Sequence, residues 1–276
     1  MAADPPTTRA PEGAPQTQAD AFAQDNAWRS LAAQLQRFEQ AGRVATFWWR
    51  DDDAGQACPA LDRLLALAGP GRPLALATIP KMLTAEAAAQ IAQAGLGVRV
   101  LPHGYAHENH APAGEKKAEF GAHRPIERLI EDTEKARALL HDAIAERLVP
   151  IFVPPWNRMD PDLCAHLMER GWLGVSTHKP RAPEEAAWRL NVHIDIVDWK
   201  HTRGFIGTKA ALDQAVAHLT ARFDGTPGID ANEPTGLMTH HLAHDEDCWG
   251  FTARFLKVIE MHPAAKIIDA REGFRT

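Results

Sequence analysis

The sequence predicts a closed, mainly parallel α/β barrel. Segments with strand and helix patterning alternate along almost the whole chain, their connections are short, and about seven such units fit into 276 residues without an internal repeat or an interdomain linker. A chain of this length, 45% hydrophobic and 24% charged, can bury a sizeable core without staples. The charge of −6, a pI near 6.2 and the lack of a long basic run argue against nucleic acid as a partner. No apolar run approaches the roughly 18 residues of a membrane span, and the N-terminus lacks the apolar core of a signal peptide. Three widely separated cysteines, Cys58, Cys164 and Cys248, fit a reducing compartment, so a cytoplasmic protein is expected.

The elements follow in order. Residues 1 to 20 carry four prolines and no Val, Ile, Leu, Phe or Trp, and residues 1–24 are expected to be a disordered tail ahead of one domain over 25–276. Trp28 to Gln40 is an amphipathic helix with Trp28, Leu31, Leu35 and Phe38 on one stripe and Gly42 as its stop. Val44 to Trp49 is a short buried strand running into Arg50-Asp51-Asp52-Asp53. Leu61 to Ala68 is helical and Pro73 to Ile79 a strand; Thr84 to Ala94 is a helix capped by Thr84 and ended by Gly95, before a strand at Gly97 to Leu101. Ile126 to Leu148 is the longest helix, with Ile126, Leu129, Ile130, Leu140 and Ile144 on one face and a Glu131–Lys135 pair on the other. Further strands are expected at Val149 to Val153, Leu173 to Ser176, Val192 to Val197, Gly236 to Thr239 and Ala265 to Ile268. Helices at Asp160 to Arg170, Lys209 to Phe223 and Trp249 to Met261 lie among them, and Pro180 to Trp188 is the candidate surface insertion.

In parallel barrels, reactive groups gather on the loops at the C-terminal ends of the strands. Five expected strands end in polar residues here: Asp51-Asp52-Asp53, His103-Gly-Tyr-Ala-His107, Pro154-Pro155-Trp156-Asn157-Arg158, Asp195-Ile-Val-Asp198-Trp199 and Thr239-His240-His241. Six of the fourteen histidines crowd into two windows, His103, His107, His110 and His240, His241, His244, and none precedes His103. A spacing of four puts His103 and His107 on one face of a helical turn, as two ligands of one metal ion would need, although plain surface turns share that spacing. Gly104 after the first histidine excludes the HExxH protease signature. Adjacent carboxylates behind Phe47-Trp48-Trp49 repel unless a cation or proton is shared, and a divalent ion at the barrel mouth would relieve that cost. Two histidines and one carboxylate leave open positions for water and substrate. Strand alternation places Asp198 on the apolar face of Val192, Ile194 and Ile196, where it needs a partner, with His240 the nearest candidate. His240 and His244 also stand four apart, which leaves a second metal site and a general acid both open.

Taken in this order, the residues resemble the polysaccharide deacetylases of carbohydrate esterase family 4, the NodB homology domain. Five motifs mark that family: Thr-Phe-Asp-Asp, a His-(Ser/Thr)…His element, Arg-x-Pro-Tyr, Asp-x-x-Asp-Trp and Leu-x-His. Arg50-Asp51-Asp52-Asp53 resembles the first, implying Asp52 as general base and Asp53 as metal ligand. His103-Gly-Tyr-Ala-His107 resembles the second and supplies the other two ligands. Phe152-Val-Pro-Pro-Trp156 resembles the third, Asp195-Ile-Val-Asp198-Trp199 matches the fourth, and Leu237-Met-Thr-His240 resembles the fifth, making His240 the catalytic acid and Asp198 the residue that tunes it. The resemblance covers about residues 44 to 270. It implies a distorted (β/α)7 barrel and metal-dependent hydrolysis of an N-acetyl or similar amide.

Three departures stand out. Val153 occupies the place of the arginine that orients the base, with Arg158 or Arg50 as substitutes. Gly104 replaces Ser or Thr. Asp51 replaces Phe, which leaves the register of the triple aspartate open by one residue. The expected cofactor is one divalent ion, zinc first, with cobalt, nickel or manganese as alternatives. Trp156, Tyr105, Trp199 and Arg158 are the expected substrate contacts, for an acetylated oligosaccharide or another small amide. A hydrolase of a small nonsugar amide and a metal- or glycan-binding protein without turnover are the alternative readings; oligomeric state is not encoded in any readable feature.

Overall fold

The computed structural model describes residues 18–274, with side chains from residue 25 onward. The expected tail therefore falls largely outside the described residues, while the first helix starts at Gln18, ten residues before the first apolar-stripe residue, Trp28. The helices are α1 (Gln18–Gln40), α2 (Pro59–Ala68), α3 (Ala85–Gln93), α4 (Ile126–Ile144), α5 (Leu163–Glu169), α6 (Thr208–Asp224) and α7 (Glu246–Met261). The strands are β1 (Ala45–Ala54), β2 (Leu74–Thr78), β3 (Val98–Pro102), β4 (Ile151–Phe152), β5 (Gly174–Val175), β6 (Ile194–Asp195), β7 (Thr235–Thr239) and β8 (Ala265–Ile267). None of the described helices is long and apolar enough to cross a membrane.

All strand pairs are parallel. One sheet runs β3-β2-β1-β7-β6, and β4 pairs with β5. Single parallel bridges join the two: Val100 to Leu148 and His103 to Val153 link β3 to the β4 segment, while Val175 to Arg189 and His178 to Val192 link β5 to the stretch entering β6. The strands thus follow one another around a closed barrel in sequence order, and β8 pairs with the first three residues of β1. This is the expected distorted (β/α)7 architecture; the distortion lies where full ladders give way to single bridges.

Alternation along the strands sorts the core into two layers. Trp48, Ala77, Leu101, Ile151, Val153, Val192 and Met238 belong to a cluster to which none of α1 to α7 contributes, the barrel interior. Phe47, Trp49, Leu76 and Leu237 face outward onto apolar stripes of α1, α2, α3, α6 and α7. Trp48 fits inside because its indole donates to the Asn191 carbonyl at 2.9 Å, across a position where a Cβ on Gly236 would sit 2.5 Å from the indole nitrogen. Leu31, Leu35 and Phe38 tie α1 to the barrel, each fully buried side chain contributing roughly 1.5–3 kcal/mol. Thr84 caps α3 by accepting from the Ala87 amide. The Pro180 to Trp188 segment is more than a surface insertion: Arg181 is buried and ion-paired with Asp230 at 2.8 Å.

Candidate active site

The site is built first by an irregularity in β1. Asp51 pairs with Leu76 and Ala54 with Thr78, so Asp52 and Asp53 together oppose the single residue Ala77. This β-bulge interrupts the strict alternation of faces, and Asp53 adopts a left-handed φ of 71° to make the turn. Three consecutive aspartates consequently serve three different environments.

Asp51 points into the outer layer. It is completely buried, accepts from the Thr239 hydroxyl at 2.6 Å, and meets His241 Nδ1 at 2.5 Å. Burial opposes its ionisation, but His241 and the Thr239 hydrogen bond hold its pKa below the usual carboxylate range. The pair pins the end of β1 to the end of β7, next to His240.

Asp52 points into the barrel mouth. Arg50, two residues earlier on the same face, donates to it from Nε and Nη2 at 2.8 Å each, a fork-to-fork pair with both side chains buried. The remaining Arg50 donors go to the Ser176 hydroxyl and carbonyl and to Asn157 Oδ1. Of the two candidate substitutes for the arginine missing at Val153, Arg50 is the one that reaches Asp52. Arg158 does not: its guanidinium donates to the Lys117 carbonyl.

Asp53, His103 and His107 converge. His103 Nε2 lies 3.1 Å and His107 Nε2 3.3 Å from the same Asp53 oxygen, and the three ligand atoms lie within 4.8 Å of one another. His103 Nδ1 faces the Val153 carbonyl at 3.1 Å, which places the ring proton on Nδ1 and the lone pair of Nε2 toward Asp53. That tautomer is the one a metal-ligating imidazole needs, and two imidazoles with one carboxylate suit a divalent ion that keeps open positions. Without a cation, the same closeness shows as mutual perturbation. Burial works against both charged forms, yet their pairing lowers the Asp53 pKa and raises that of His103.

The loop carrying His107 is held from beneath by Glu119, a residue sequence patterning did not single out. Its buried carboxylate accepts from the backbone amides of Tyr105, Ala106 and His107 at 3.3, 2.7 and 3.1 Å. Burial raises the Glu119 pKa, and these amide bonds partly counter the shift. The arrangement explains Gly104, whose φ is 60° and where a Cβ would stand 2.2 Å from Glu119 Oε2. The signal in the sequence was the glycine itself, in a place where the resembling family has a hydroxyl residue.

Across the mouth, His240 Nε2 lies 3.9 Å from Asp52 Oδ2, and its ring meets the Trp199 indole edge-on with centroids 4.6 Å apart. The expected partner of His240 is corrected. Asp198 lies near the surface and pairs with exposed His201 at 2.9 Å. β6 ends at Asp195, whose Oδ1 accepts from the Val197 amide in a tight turn, so alternation does not extend to Asp198. Asp195 itself faces the site: Oδ2 accepts from Trp199 Nε1 at 2.9 Å, and its pKa is raised by burial and moderated by His240. Of the expected substrate contacts, Trp156 lies over His107 with ring centroids 4.4 Å apart, Trp199 is exposed, and Tyr105 is half-buried beside Lys81. Trp156 and Asn157 both have left-handed φ, so the loop after β4 is bent sharply around the mouth.

No protein-family model and no curated protein matches this sequence. Solved structures do. A Mycobacterium smegmatis protein assigned as a polysaccharide deacetylase superposes with a TM-score of 0.58 at 15% identity, covering 84% of this chain and 89% of that one. The chain has the polysaccharide deacetylase fold. A family 4 carbohydrate esterase from Streptomyces lividans, in complex with acetate, aligns at 12% identity over 84% and 97% of the two chains with a TM-score of 0.49. A polysaccharide deacetylase from Bacillus cereus aligns at 14% over 85% and 96%, with a TM-score of 0.47.

The polysaccharide deacetylase fold carries a second cluster of ligand-type residues in this chain, at the opposite end of the barrel. His193 and His218 Nε2 lie 3.2 and 3.6 Å from Glu233 Oε2, and all three side chains are buried. A metal does not suit it. His193 Nδ1 accepts from the Gly236 amide, so the neutral ring carries its proton on Nε2, and the two rings stack nearly parallel with centroids 3.4 Å apart. An ion in the plane of one ring would lie well out of the plane of the other. Burial and the neighbouring His193 push His218 down to about 3; against its own burial, Glu233 is held at about 2 by the two histidines.

Proposed function

We propose that this protein is a metal-dependent hydrolase that removes N-acetyl or similar acyl groups from a carbohydrate amine. The observation that carries the reading is the convergence of Asp53, His103 and His107 opposite Asp52 and His240 at the C-terminal mouth of the barrel. Zinc is the first candidate for the ion, with cobalt, nickel or manganese as alternatives. When bound by Asp53, His103 and His107, it would polarise the acyl carbonyl and make an attacking water more acidic.

The remaining chemistry belongs to the chain. Asp52 takes the proton of the attacking water as the carbon–oxygen bond forms. Arg50 fixes the plane of that carboxylate, leaving one lone pair of each oxygen for the mouth. His240 Nε2 gives a proton to the nitrogen as the carbon–nitrogen bond breaks, releasing a carboxylic acid and a free amine. Asp195 positions the acid by fixing the Trp199 indole, which packs edge-on against the His240 ring. Trp156 and Trp199 flank the mouth as faces for a sugar ring. The absence of an arginine from the third motif favours a binding protein without turnover, and the Arg50–Asp52 contact weighs against that alternative.

The test joins metal analysis of the purified protein to acetate release from chitooligosaccharides, acetylated monosaccharides and small nonsugar amides. Acetate from the glycans, lost on chelation and restored by metal, is the expected result. Turnover of the small amides alone would move the assignment to a nonsugar amide, and stoichiometric metal without any release would overturn it.

A further inference from the structure

Beside the catalytic mouth, between the segments that follow β4 and β5, lies a cavity of about 350 Å³. Its polar lining comes from Asn157, Arg158, Thr177, His178, Lys179 and Arg189, and no carboxylate lines it. Arg158 and Lys179 pair with no carboxylate among the described residues; Arg158 has only the Lys117 carbonyl. Arg189 faces Glu185 at 2.9 Å and donates to the Thr177 hydroxyl at 3.1 Å, which turns the guanidinium toward the cavity. His178 reports the surplus of positive charge: burial lowers its pKa, and Lys179, Arg50 and Arg158 lower it further.

The backbone of the cavity wall is hydrogen-bonded in place and joined to the reaction centre. Lys179 has a left-handed φ of 81°, fixed by its amide bond to the Val192 carbonyl and by its own carbonyl, which accepts from Asn191. Asn157, in the cavity wall, accepts from the same Arg50 that clamps Asp52, and Thr177 follows Ser176, which takes another Arg50 donor. A group held against Asn157 would be linked to Asp52 through two side chains, Asn157 and Arg50.

We propose that this cavity is a subsite for an anionic substituent, phosphate or carboxylate, carried by the acylated substrate. Arg158 and Lys179, which pair with no carboxylate among the described residues, line this space beside Arg189, whose guanidinium also pairs with Glu185, and no acidic residue lines it; such groups supply the donors a phosphate or carboxylate needs, whereas a neutral glycan gains nothing from them. The substrate class narrows accordingly to an N-acylated sugar bearing a phosphate or an acidic side group. That it is a substrate rests on the hydrolase reading above; the preference for charge does not.

The experiment measures binding by calorimetry and acetate release separately. The ligands are N-acetylglucosamine, its 1- and 6-phosphates, N-acetylmuramic acid and inorganic phosphate, with the native protein and an Arg158→Gln/Lys179→Gln variant. Both substituted side chains are exposed, and the readout is the ratio of charged to neutral affinity within each protein. The native protein is expected to prefer at least one charged sugar by about tenfold or more, with the preference shrinking at high salt and falling to about twofold in the variant. Equal affinity for charged and neutral sugars, or a preference the variant retains, overturns the subsite even if acetate is released. Tight, variant-sensitive binding of a charged sugar without any acetate sustains the subsite and sinks the hydrolase reading. Binding of inorganic phosphate with no gain for any charged sugar shows an adventitious ion only, and overturns the proposal.

Discussion

Arg50 and Asp52 sit two residues apart on one strand and meet in two parallel contacts of 2.8 Å, both side chains sealed from solvent. Both members come from β1, where residues two apart share one face of the strand. An Arg50→Lys substitution keeps the charge but loses the fork. Turnover is expected to fall at least about tenfold with metal content unchanged, because the carboxylate would be free to rotate. Removing the charge with Arg50→Met leaves Asp52 buried and unpaired and is expected to cost about 3–5 kcal/mol, read by denaturant unfolding. Full activity in the lysine variant would refute the orienting role.

The three-ligand set predicts loss of metal. Asp53→Ala and His103→Ala proteins, dialysed alongside the native form, are expected to retain little or no metal by elemental analysis while keeping their circular dichroism. Native metal content in both variants would show the ligand assignment to be wrong.

Glu119 supports that set without touching it. A Glu119→Ala change strips three backbone amides of their acceptor, with an expected loss of about 1–3 kcal/mol in stability and weaker metal retention by about 10–100-fold. A metal titration separates the two effects: a variant that is destabilised but binds metal with native affinity would make Glu119 purely structural.

Asp195 and Asp198 make opposite predictions from one short segment. Asp195→Asn is expected to lower kcat by roughly tenfold or more. Asp198→Asn removes only an exposed pair with His201 and is expected to leave kcat within about twofold. The reverse outcome would restore the assignment suggested by alternation.

The buried His193–His218–Glu233 group predicts acid sensitivity. His218 at about 3 lies below its unfolded value of 6.5, so the unfolded chain binds the extra proton first and stability drops as pH falls through that interval. Glu233, at about 2 against 4.5, contributes stability above 4.5 that is lost toward 2, which has the same sign. Melting temperature should therefore decline from pH 7 to pH 4 by roughly 2–4 °C for each kcal/mol lost. His218→Leu is expected to flatten that slope whatever it does to the absolute value, and an unchanged slope would clear the histidine.

Much of the fold was legible because its signals are local. Apolar stripes marked α1 and α4, Thr84 marked the start of α3, and His103 and His240 marked strand ends, whereas β1 runs on through the three aspartates to Ala54. What escaped depended on geometry that no single segment encodes. Asp198 was misplaced because alternation was extended past Asp195, whose own side chain ends the strand. Glu119 lies twelve residues beyond His107 in a stretch with no periodic pattern, and only its three amide partners reveal it. Arg50 was one of two candidates until the barrel interior showed which guanidinium reaches Asp52.

The bulge in β1 also limits how this site can vary. With Asp51 committed to His241, Asp52 to Arg50 and Asp53 to the two metal-type histidines, inserting or deleting one residue in this strand would hand each carboxylate its neighbour's surroundings. Such a slip would misdirect a barrel-closing contact, the proposed base and the proposed metal ligand together. A lineage carrying this arrangement can exchange residues within the strand one at a time, but it cannot change the strand's length without rebuilding the mouth.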